Sequence, residues 1–203
     1  MSQQYGLAAS LIFGLTLLLS LIGLFLQPKL IEHSLFRPYW FLRKQQYDTV
    51  LMSGFVHADG SHLLFNMITY WFFAFPLERR IGTSAFVTLY VAGLVLSEVG
   101  TYFKHRNHPD YATLGASGAI LAVLFASIVY FPQQRLAFML LPIPIPAPLF
   151  AIGYLAYSYY SSKLHRGRVN HDAHFSGAIT GLLFVALTDP GAYRGLMQMI
   201  GLT

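Results

Sequence analysis

Cysteine is absent from the 203 residues of the chain, and charged residues are scarce. The first absence excludes disulfide bonds, a thiol nucleophile and cysteine-ligated zinc. Charged side chains make up 10% of the sequence, against roughly 25% in soluble domains, whereas 55% of the residues are hydrophobic and the mean hydropathy is +0.53. This composition predicts a membrane protein. We expect the net charge of +5 to lie in loops that face anionic lipid, so it does not indicate a nucleic acid partner.

Apolar segments divide the chain into six candidate membrane helices. The first covers residues 6–26, 21 residues without a charge, which suffices to cross a hydrocarbon core of about 30 Å. No basic region precedes it and no small-residue cleavage site follows it, so we expect a retained helix rather than a cleaved signal peptide. The other segments are residues 61–77, 84–102, 114–131, 146–162 and 173–188. Each is expected to be a helix, because backbone groups in lipid must bond within their own segment.

Two connecting segments have compositions of their own. The run "PIPIPAP" at 142–148 contains four prolines, so it cannot lie inside a helix and is expected to lead into the fifth helix in an extended form. Residues 28–56 mix basic and aromatic side chains, which predicts either a segment lying on the membrane surface or an ordinary loop. The sequence as a whole predicts an all-α polytopic membrane protein with a bundle of six transmembrane helices.

Three of the predicted helices carry polar side chains where lipid penalises them. His62 and Asn66 are four residues apart and share one face of the second helix. Ser117 lies among glycines at the start of the fourth helix, and His174 lies near the start of the sixth. Taken singly, each has an alternative explanation in helix packing, because histidine, asparagine and serine commonly bond between membrane helices.

The position of these side chains along the helices favours a shared function. The second, fourth and sixth helices begin at the same face of the membrane, since an even number of crossings separates their starts, so the polar groups lie at one depth. Gly177 and Gly181 form a small-residue stripe below His174, and the fourth helix offers a matching stripe from Gly118 onward. Docking of the two stripes is expected to bring His174 beside Ser117.

A serine beside a histidine supports acyl transfer. His174 can take the proton of the Ser117 hydroxyl and return it to a leaving amine. The Asn66 amide, the His62 imidazole and the backbone N–H of Ser117 are suitable donors for the oxyanion. Asp172 lies two residues before His174 and points away from it on a helix, so the sequence predicts a Ser–His dyad without an acid.

These residues resemble those of the rhomboid family of intramembrane serine proteases. The resemblance runs from about residue 55 to residue 188 and rests on four motifs in the order of the family: "GFVHADGSHLLFNM", "LERRIG", "GASGA" and "AHFSGAITG". It implies that Ser117 is the nucleophile, that His174 is the general base, and that His62 and Asn66 form the oxyanion hole. The glycines given a structural role near the site are Gly115, Gly118, Gly177 and Gly181.

The resemblance also carries expectations about the whole chain. Residues 1–203 would form a single rhomboid membrane domain, with a core at about 55–188, the first helix at 6–26 and the interfacial first loop at 28–56. Similarity to the family implies cleavage of single-pass transmembrane proteins, contact with membrane lipid and no cofactor or metal. We expect an integral multi-pass protein of a bacterial inner (plasma) membrane, and the sequence leaves the oligomeric state open.

The sequence departs from the family's pattern at two places, the first of which is in the first loop, where Asp48 and Thr49 stand in place of the Trp-Arg that many members carry. Leu121 stands where many members have a tyrosine packed against the catalytic histidine, so the orientation of His174 is expected to depend on another group. Phe150, Tyr154 and Tyr157 share one face of the fifth helix and are candidates for a substrate gate, with aromatic packing or lipid contact as the alternative. The positive-inside rule places the catalytic mouth in the cytoplasm, whereas the family usually opens to the outside.

Two other functions are compatible with parts of the pattern. One is a catalytically inactive rhomboid-like protein that binds membrane clients, although such relatives usually lack the serine or the histidine. The other is a metal-dependent membrane enzyme or transporter, although the chain has no H-E-x-x-H motif. The histidines available for such a metal site are His57, His62, His105, His108, His165, His171 and His174.

Overall fold

The computed structural model describes residues 6–138, 141–164, 169–199 and 201, and most of them are helical. The short helices of the first loop are α2 (Pro28–Ser34), α3 (Pro38–Arg43) and α4 (Thr49–Met52). The longer helices are α1 (Leu7–Leu21, continued by a π-helical turn at Ile22–Leu26), α5 (Gly60–Ile81), α6 (Thr83–His105), α7 (Ser117–Tyr130), α8 (Ala147–Leu164) and α9 (His171–Thr188). A 3₁₀ turn (Pro190–Ala192) and α10 (Tyr193–Met199) follow α9.

The predicted membrane character is confirmed, but the count of six crossings stays a prediction. Two helical stretches of the described residues are long and apolar enough to span a membrane, Leu7–Leu26 and Thr83–His105. A third qualifies if α9 and the segment Pro190–Met199, bent by 108° against it, form one broken span. The other helices fail this measure because polar side chains dilute α5 and α8, and because the 14 residues of α7 extend only about 21 Å.

A two-stranded hairpin between α7 and α8 departs from the predicted all-α class. Strand β1 (Arg135–Phe138) pairs antiparallel with β2 (Leu141–Pro146). The prolines of β2 cannot continue a helix, so the chain stays extended until α8 begins at Ala147. The extended lead-in predicted for the fifth helix is found up to Pro146, with a hairpin partner that the sequence pattern did not indicate. The last two residues of the predicted run, Ala147 and Pro148, instead begin α8, where the first turn tolerates proline.

The segment 28–56 is anchored to the loop that leads into α7. Its aromatic and basic side chains pair on α3, where the Arg43 guanidinium lies 4.0 Å from the Tyr39 ring and the Lys44 ammonium 4.0 Å from the Trp40 ring. Such pairs suit a helix at a membrane interface. Phe36 exchanges two backbone hydrogen bonds of 3.0 Å with Thr113, which fixes this segment against the chain four residues before Ser117.

Helix α7 forms the centre of the molecule, and α5, α6 and α9 pack around it. Twelve of its 14 residues are buried, as expected for a helix that is apolar on every side. A Cβ on Gly177 would overlap the carbonyl oxygen of Gly118, and one on Gly181 would overlap that of Ala122. The backbones of α7 and α9 are therefore in direct contact along the two small-residue stripes.

Helix α1 docks on α5 through a buried carboxylate. Glu78 accepts hydrogen bonds from the backbone N–H groups of Ala8 at 3.1 Å and Ala9 at 2.7 Å. These donors belong to the first turn of α1, which has no intrahelical acceptor for them and carries the positive end of the helix dipole. The hydroxyl of Tyr70 donates to the Ala9 carbonyl at 3.1 Å, so α5 holds the start of α1 at two points.

His57, in the loop between α4 and α5, joins three parts of the fold. Its Nε2 accepts from the Asn66 amide at 2.8 Å and from the Ala116 backbone N–H at 3.4 Å. Nε2 therefore carries no proton, and Nδ1 donates to the Ser20 hydroxyl of α1 at 3.0 Å. Burial lowers the pKa of His57 to about 3, because a charged ring would lose its hydration. The neutral imidazole links α1, α5 and the start of α7.

The contact between α7 and α9 predicts a strong effect of one added methyl group. Gly181→Ala should destabilise the protein by about 1–3 kcal/mol, because the new Cβ must displace backbone rather than a flexible side chain. The matched control is Gly153→Ala on α8, where nothing lies within 4 Å of the added Cβ and where alanine should be neutral or slightly stabilising. Thermal unfolding in detergent measures both, and equal midpoints for the two variants would contradict direct backbone contact.

The buried neutral His57 predicts acid sensitivity. Below the ordinary histidine pKa of 6.5, His57 binds a proton in the unfolded chain, whereas in the folded chain it stays neutral down to about pH 3. His57 should therefore lower the free energy of unfolding by up to about 1.4 kcal/mol for each pH unit as the pH falls through this window. Thermal midpoints between pH 4.5 and pH 7.5 should fall less steeply in His57→Gln than in the wild type. The exposed His33 offers the control His33→Gln, and identical slopes in all three proteins would contradict a buried neutral His57.

Candidate active site

Ser117 and His174 meet at the N-terminal ends of α7 and α9. The distance between Ser117 Oγ and His174 Nε2 is 2.8 Å, although 57 residues separate them in the chain. Both side chains are half-buried, so they lie below the surface without being sealed. This geometry allows direct proton transfer between the hydroxyl and the imidazole.

Asn170 caps the N-terminus of α9 and thereby fixes where along the bundle His174 lies. Its side-chain oxygen accepts from the Ala173 backbone N–H at 3.0 Å, as an N-cap does. Its amide nitrogen donates to the hydroxyls of Thr101 at 3.0 Å and Thr113 at 3.1 Å. These bonds tie the first turn of α9 to α6 and to the loop that precedes Ser117.

Gly115 shapes the turn that enters α7. Its φ of +124° is a conformation that side chains disfavour, and its N–H donates to the Ser53 carbonyl at 2.8 Å. A Cβ at this position would overlap the ring of His62. The absence of a side chain therefore lets the His62 imidazole lie directly against the turn, two residues before Ser117.

Both predicted oxyanion donors lie on α5, where His62 contacts the serine turn directly and Asn66 is linked to it through His57. Asp59 caps this helix by accepting from the His62 backbone N–H at 2.8 Å and from the Ser61 hydroxyl at 2.6 Å, and these bonds lower the pKa of Asp59. His62 is half-buried against Gly115, whereas Asn66 is buried and contacts the turn through its hydrogen bond to His57. Both imidazole and amide thus lie on the α5 side of the turn.

Asp172 faces away from the dyad. Its carboxylate pairs with the Lys104 ammonium at 2.9 Å and lies 3.6 Å from His105 Nε2. Lys104 also donates to the carbonyl of Ser162 near the end of α8. A cavity lined by Lys104, His105, His108, Tyr111, His171 and Asp172 opens at this end of the bundle. The hydrogen bonds of Lys104 to Ser162 and Asp172 hold α6, α8 and α9 together at this end.

Tyr154 contacts the far side of the His174 ring, a contact that the sequence pattern did not indicate. Its hydroxyl lies 3.0 Å from Nδ1, and the two rings are nearly parallel, with an interplanar angle of 27°. The sequence offered two explanations for Tyr154, a substrate gate or aromatic packing and lipid contact, and neither included a hydrogen bond to the histidine. The available signal was Leu121, because the lack of a tyrosine at this position of α7 predicted that another group orients the His174 ring.

The histidines do not assemble into a metal site in the described part of the chain. No group of three or more His, Asp or Glu side chains there has the geometry to hold an ion. His57 and His174 are engaged with protein groups instead, and His105 stacks on Tyr111 with ring centroids 3.6 Å apart. His165, which the metal alternative also used, lies outside the described residues.

Comparisons with known proteins match most of the chain. The family model described as the Rhomboid domain matches residues 44–190. Presenilin-associated rhomboid-like protein A, mitochondrial, of Danio rerio is 30% identical over 138 residues, which cover 67% of this chain and 36% of that protein. Rhomboid protein 1, mitochondrial, of Saccharomyces cerevisiae is 27% identical over 143 residues, 67% of this chain and 40% of that protein. RHOMBOID-like protein 12, mitochondrial, of Arabidopsis thaliana is 27% identical over 161 residues, 72% of this chain and 48% of that protein.

The chain thus spans less than half the length of the relatives it matches. The family match nevertheless covers every element that carries a candidate site residue, from α5 to α9. Together with its membrane-spanning helices, it shows that the chain is an integral membrane protein of the rhomboid family.

Proposed function

We propose that this chain is an intramembrane serine endopeptidase that cleaves the transmembrane segments of single-pass membrane proteins through a Ser117–His174 dyad. The 2.8 Å distance between Ser117 Oγ and His174 Nε2 carries the proposal, because an unactivated serine is a weak nucleophile without an adjacent base. Rhomboid family membership supplies the reaction class, since the family includes serine proteases that act within membranes.

The reaction proceeds in two acyl-transfer steps. The Ser117 hydroxyl donates its proton to His174 Nε2 while its oxygen attacks the scissile carbonyl carbon. His174 then returns the proton to the leaving amine as the C–N bond breaks, which leaves an acyl group on Ser117. In the second step a water molecule gives a proton to His174 Nε2 while its oxygen attacks the acyl carbon. The bond between this carbon and Ser117 Oγ then breaks, and Nε2 returns the proton to Oγ, which releases the new carboxyl group and restores the serine. No cofactor or metal is needed for this sequence.

The tetrahedral intermediates need hydrogen-bond donors for their negative oxygen. We assign this role to the Asn66 amide, the His62 imidazole and the backbone N–H of Ser117. The first-turn N–H groups of a helix have no intrahelical acceptor and favour an anion, and Ser117 begins α7. The placement of His62 against Gly115 supports the assignment, because it directs an imidazole toward the turn from which the serine attacks.

The architecture that supports this function is a single rhomboid membrane domain over residues 1–203, with its core at about 55–188. We propose six crossings, formed by α1, α5, α6, α7, α8 and α9. The 14 residues of α7 are too few for a hydrocarbon core of about 30 Å. We therefore place its N-terminal end, with the half-buried Ser117, below one membrane surface.

The membrane remains part of the proposal. We retain a bacterial inner membrane as the prediction from resemblance, and the relatives' mitochondrial names make an inner mitochondrial membrane the alternative. We place the catalytic mouth on the outer face, as is usual in the family, against the positive-inside count. Cell fractionation tests which membrane holds the protein. Protease accessibility of a tag in the loop after α6 tests the face of the membrane to which the catalytic mouth opens.

Removing either member of the dyad should abolish cleavage. Ser117→Ala and His174→Ala should reduce cleavage of a purified single-pass reporter in vesicles to background, because the proton transfer loses its donor or its acceptor. Ser127→Ala is the matched control on α7, since the Ser127 hydroxyl bonds only weakly, at 3.4 Å, to the Phe73 carbonyl. A fluorophosphonate should label the wild type and Ser127→Ala but not Ser117→Ala.

Other outcomes lead to the rival functions. Wild-type protein that binds the reporter without cutting it, and that resists the fluorophosphonate, would be a catalytically inactive binding module. Loss of cleavage on chelation would revive the metal-dependent enzyme. Retained cleavage in Ser117→Ala would end the serine mechanism.

Asn66 offers a test of the oxyanion hole. Asn66→Ala should lower kcat by about 10²–10³, the effect of about 2.7–4 kcal/mol that a lost donor has in soluble hydrolases. Thr69→Ala is the control on the same helix, because the Thr69 hydroxyl donates to the backbone carbonyl of Phe65, one turn earlier in α5. Steady-state kinetics and thermal midpoints are measured together. A fall in stability with unchanged kcat would assign Asn66 to packing through His57 instead.

A further inference from the structure

We propose that Tyr154 of α8 is a positioning residue for the general base, holding His174 Nδ1 while Nε2 faces Ser117. The inference rests on the proposed function. The Tyr154 hydroxyl lies 3.0 Å from Nδ1, and Ser117 Oγ lies 2.8 Å from Nε2. In the described part of the chain, these are the two hydrogen-bond partners of the imidazole, one at each nitrogen.

The direction of proton transfer decides which atom donates. Nε2 can accept the serine proton only if the neutral ring carries its hydrogen on Nδ1. Nδ1–H then donates to the Tyr154 oxygen, and it continues to donate after His174 becomes an imidazolium. In soluble serine hydrolases a carboxylate occupies this position and stabilises both the tautomer and the charged ring. Here a neutral phenol supplies the acceptor, and Asp172 is committed to Lys104.

The packing around Tyr154 fixes its hydroxyl. Its ring contacts Phe125 of α7 at a centroid distance of 5.9 Å and stacks on Phe150, one turn earlier on α8, at 5.7 Å. Leu121 of α7 is buried in the same cluster. Its apolar side chain offers no hydrogen-bond partner to the His174 ring. The acceptor for Nδ1 therefore comes from α8, while α7 contributes only apolar contacts on this side.

A consequence follows for the coupling of α8 to the base. Two further ring contacts hold α8 on α9, Tyr157 against His171 at 5.3 Å and Tyr159 against Phe175 at 5.8 Å. The Nδ1 hydrogen bond exists only while this contact is kept. His174 is therefore oriented for proton transfer when α8 is docked on α9, and any displacement of α8 that admits a substrate must be reversed before the serine is activated.

The other groups around His174 bear on its pH response. His171 lies on the same helix, with its ring centroid 6.0 Å away, and His62 of α5 is close enough to act on it electrostatically. The pair Lys104 and Asp172 lies beyond His171. A change at Tyr154 leaves all of these in place, so a shift in the pH profile of the variant reports on the Nδ1 contact.

The test is Tyr154→Phe, which keeps the ring and removes the oxygen. We expect kcat and the rate of labelling by a small fluorophosphonate to fall together by about ten- to hundredfold, the effect of one hydrogen bond to a group that becomes charged. KM should stay unchanged, and the acidic limb of the kcat/KM profile should move to lower pH. Tyr160→Phe is the control on the same helix, because the Tyr160 side chain is exposed, with both rates expected within about twofold of wild type. Rates are normalised to folded protein by gel filtration.

The outcomes separate this inference from the proposed function. Wild-type labelling with slow cleavage and a raised KM in Tyr154→Phe would make Tyr154 part of a substrate entrance and overturn the positioning role. Wild-type rates in both assays would also overturn it, while leaving the dyad intact. A wild type that neither cleaves nor labels would overturn the proposed function itself.

Discussion

The structure depends on the direct contact between the backbones of α7 and α9. Glycines at 177 and 181 leave no side-chain atom at these two points, so that the carbonyls of Gly118 and Ala122 lie against them. Membrane helices gain little from the hydrophobic effect and associate through such close packing. Contact at two points one turn apart fixes both the distance and the register of the helices. The separation of Ser117 from His174 is thus set by backbone geometry rather than by flexible side chains.

This constraint explains why much of the site could be predicted from the sequence. Small residues at helical spacing are visible as a pattern, and they predicted which faces of the fourth and sixth segments meet. Given that register, Ser117 and His174 had to lie at similar depth, and they are 2.8 Å apart. The membrane class followed from composition, because lipid leaves the chain few alternatives to helices. Family motifs added His62 and Asn66, which lie on the α5 side of the serine turn.

The parts that the sequence did not indicate depend on contacts without a periodic pattern. Tyr154 is one of several aromatic residues on α8, and only the rotation of that helix against α9 selects its hydroxyl rather than that of Tyr157. His57 lies in the motif "GFVHADGSHLLFNM", but the motif does not indicate its partners. In the structure its two ring nitrogens join α1, α5 and the turn before α7. The hairpin of β1 and β2 escaped prediction because prolines exclude a helix without specifying a partner strand. The number of crossings stays open because α7, with 14 residues, is too short to qualify as a membrane span by its length.

The helices contribute different parts of the candidate site. Helices α7 and α9 carry the proposed nucleophile and base, and Asn170 ties the start of α9 to α6 and to the loop before α7. Helix α8 packs on α9 through aromatic rings rather than through direct backbone contact. Because the hydroxyl beside His174 Nδ1 comes from α8, the proposed orientation of the base depends on the docking of α8 on α9. Under the proposed function, a displacement of α8 would leave Ser117 without an oriented base until α8 docked again.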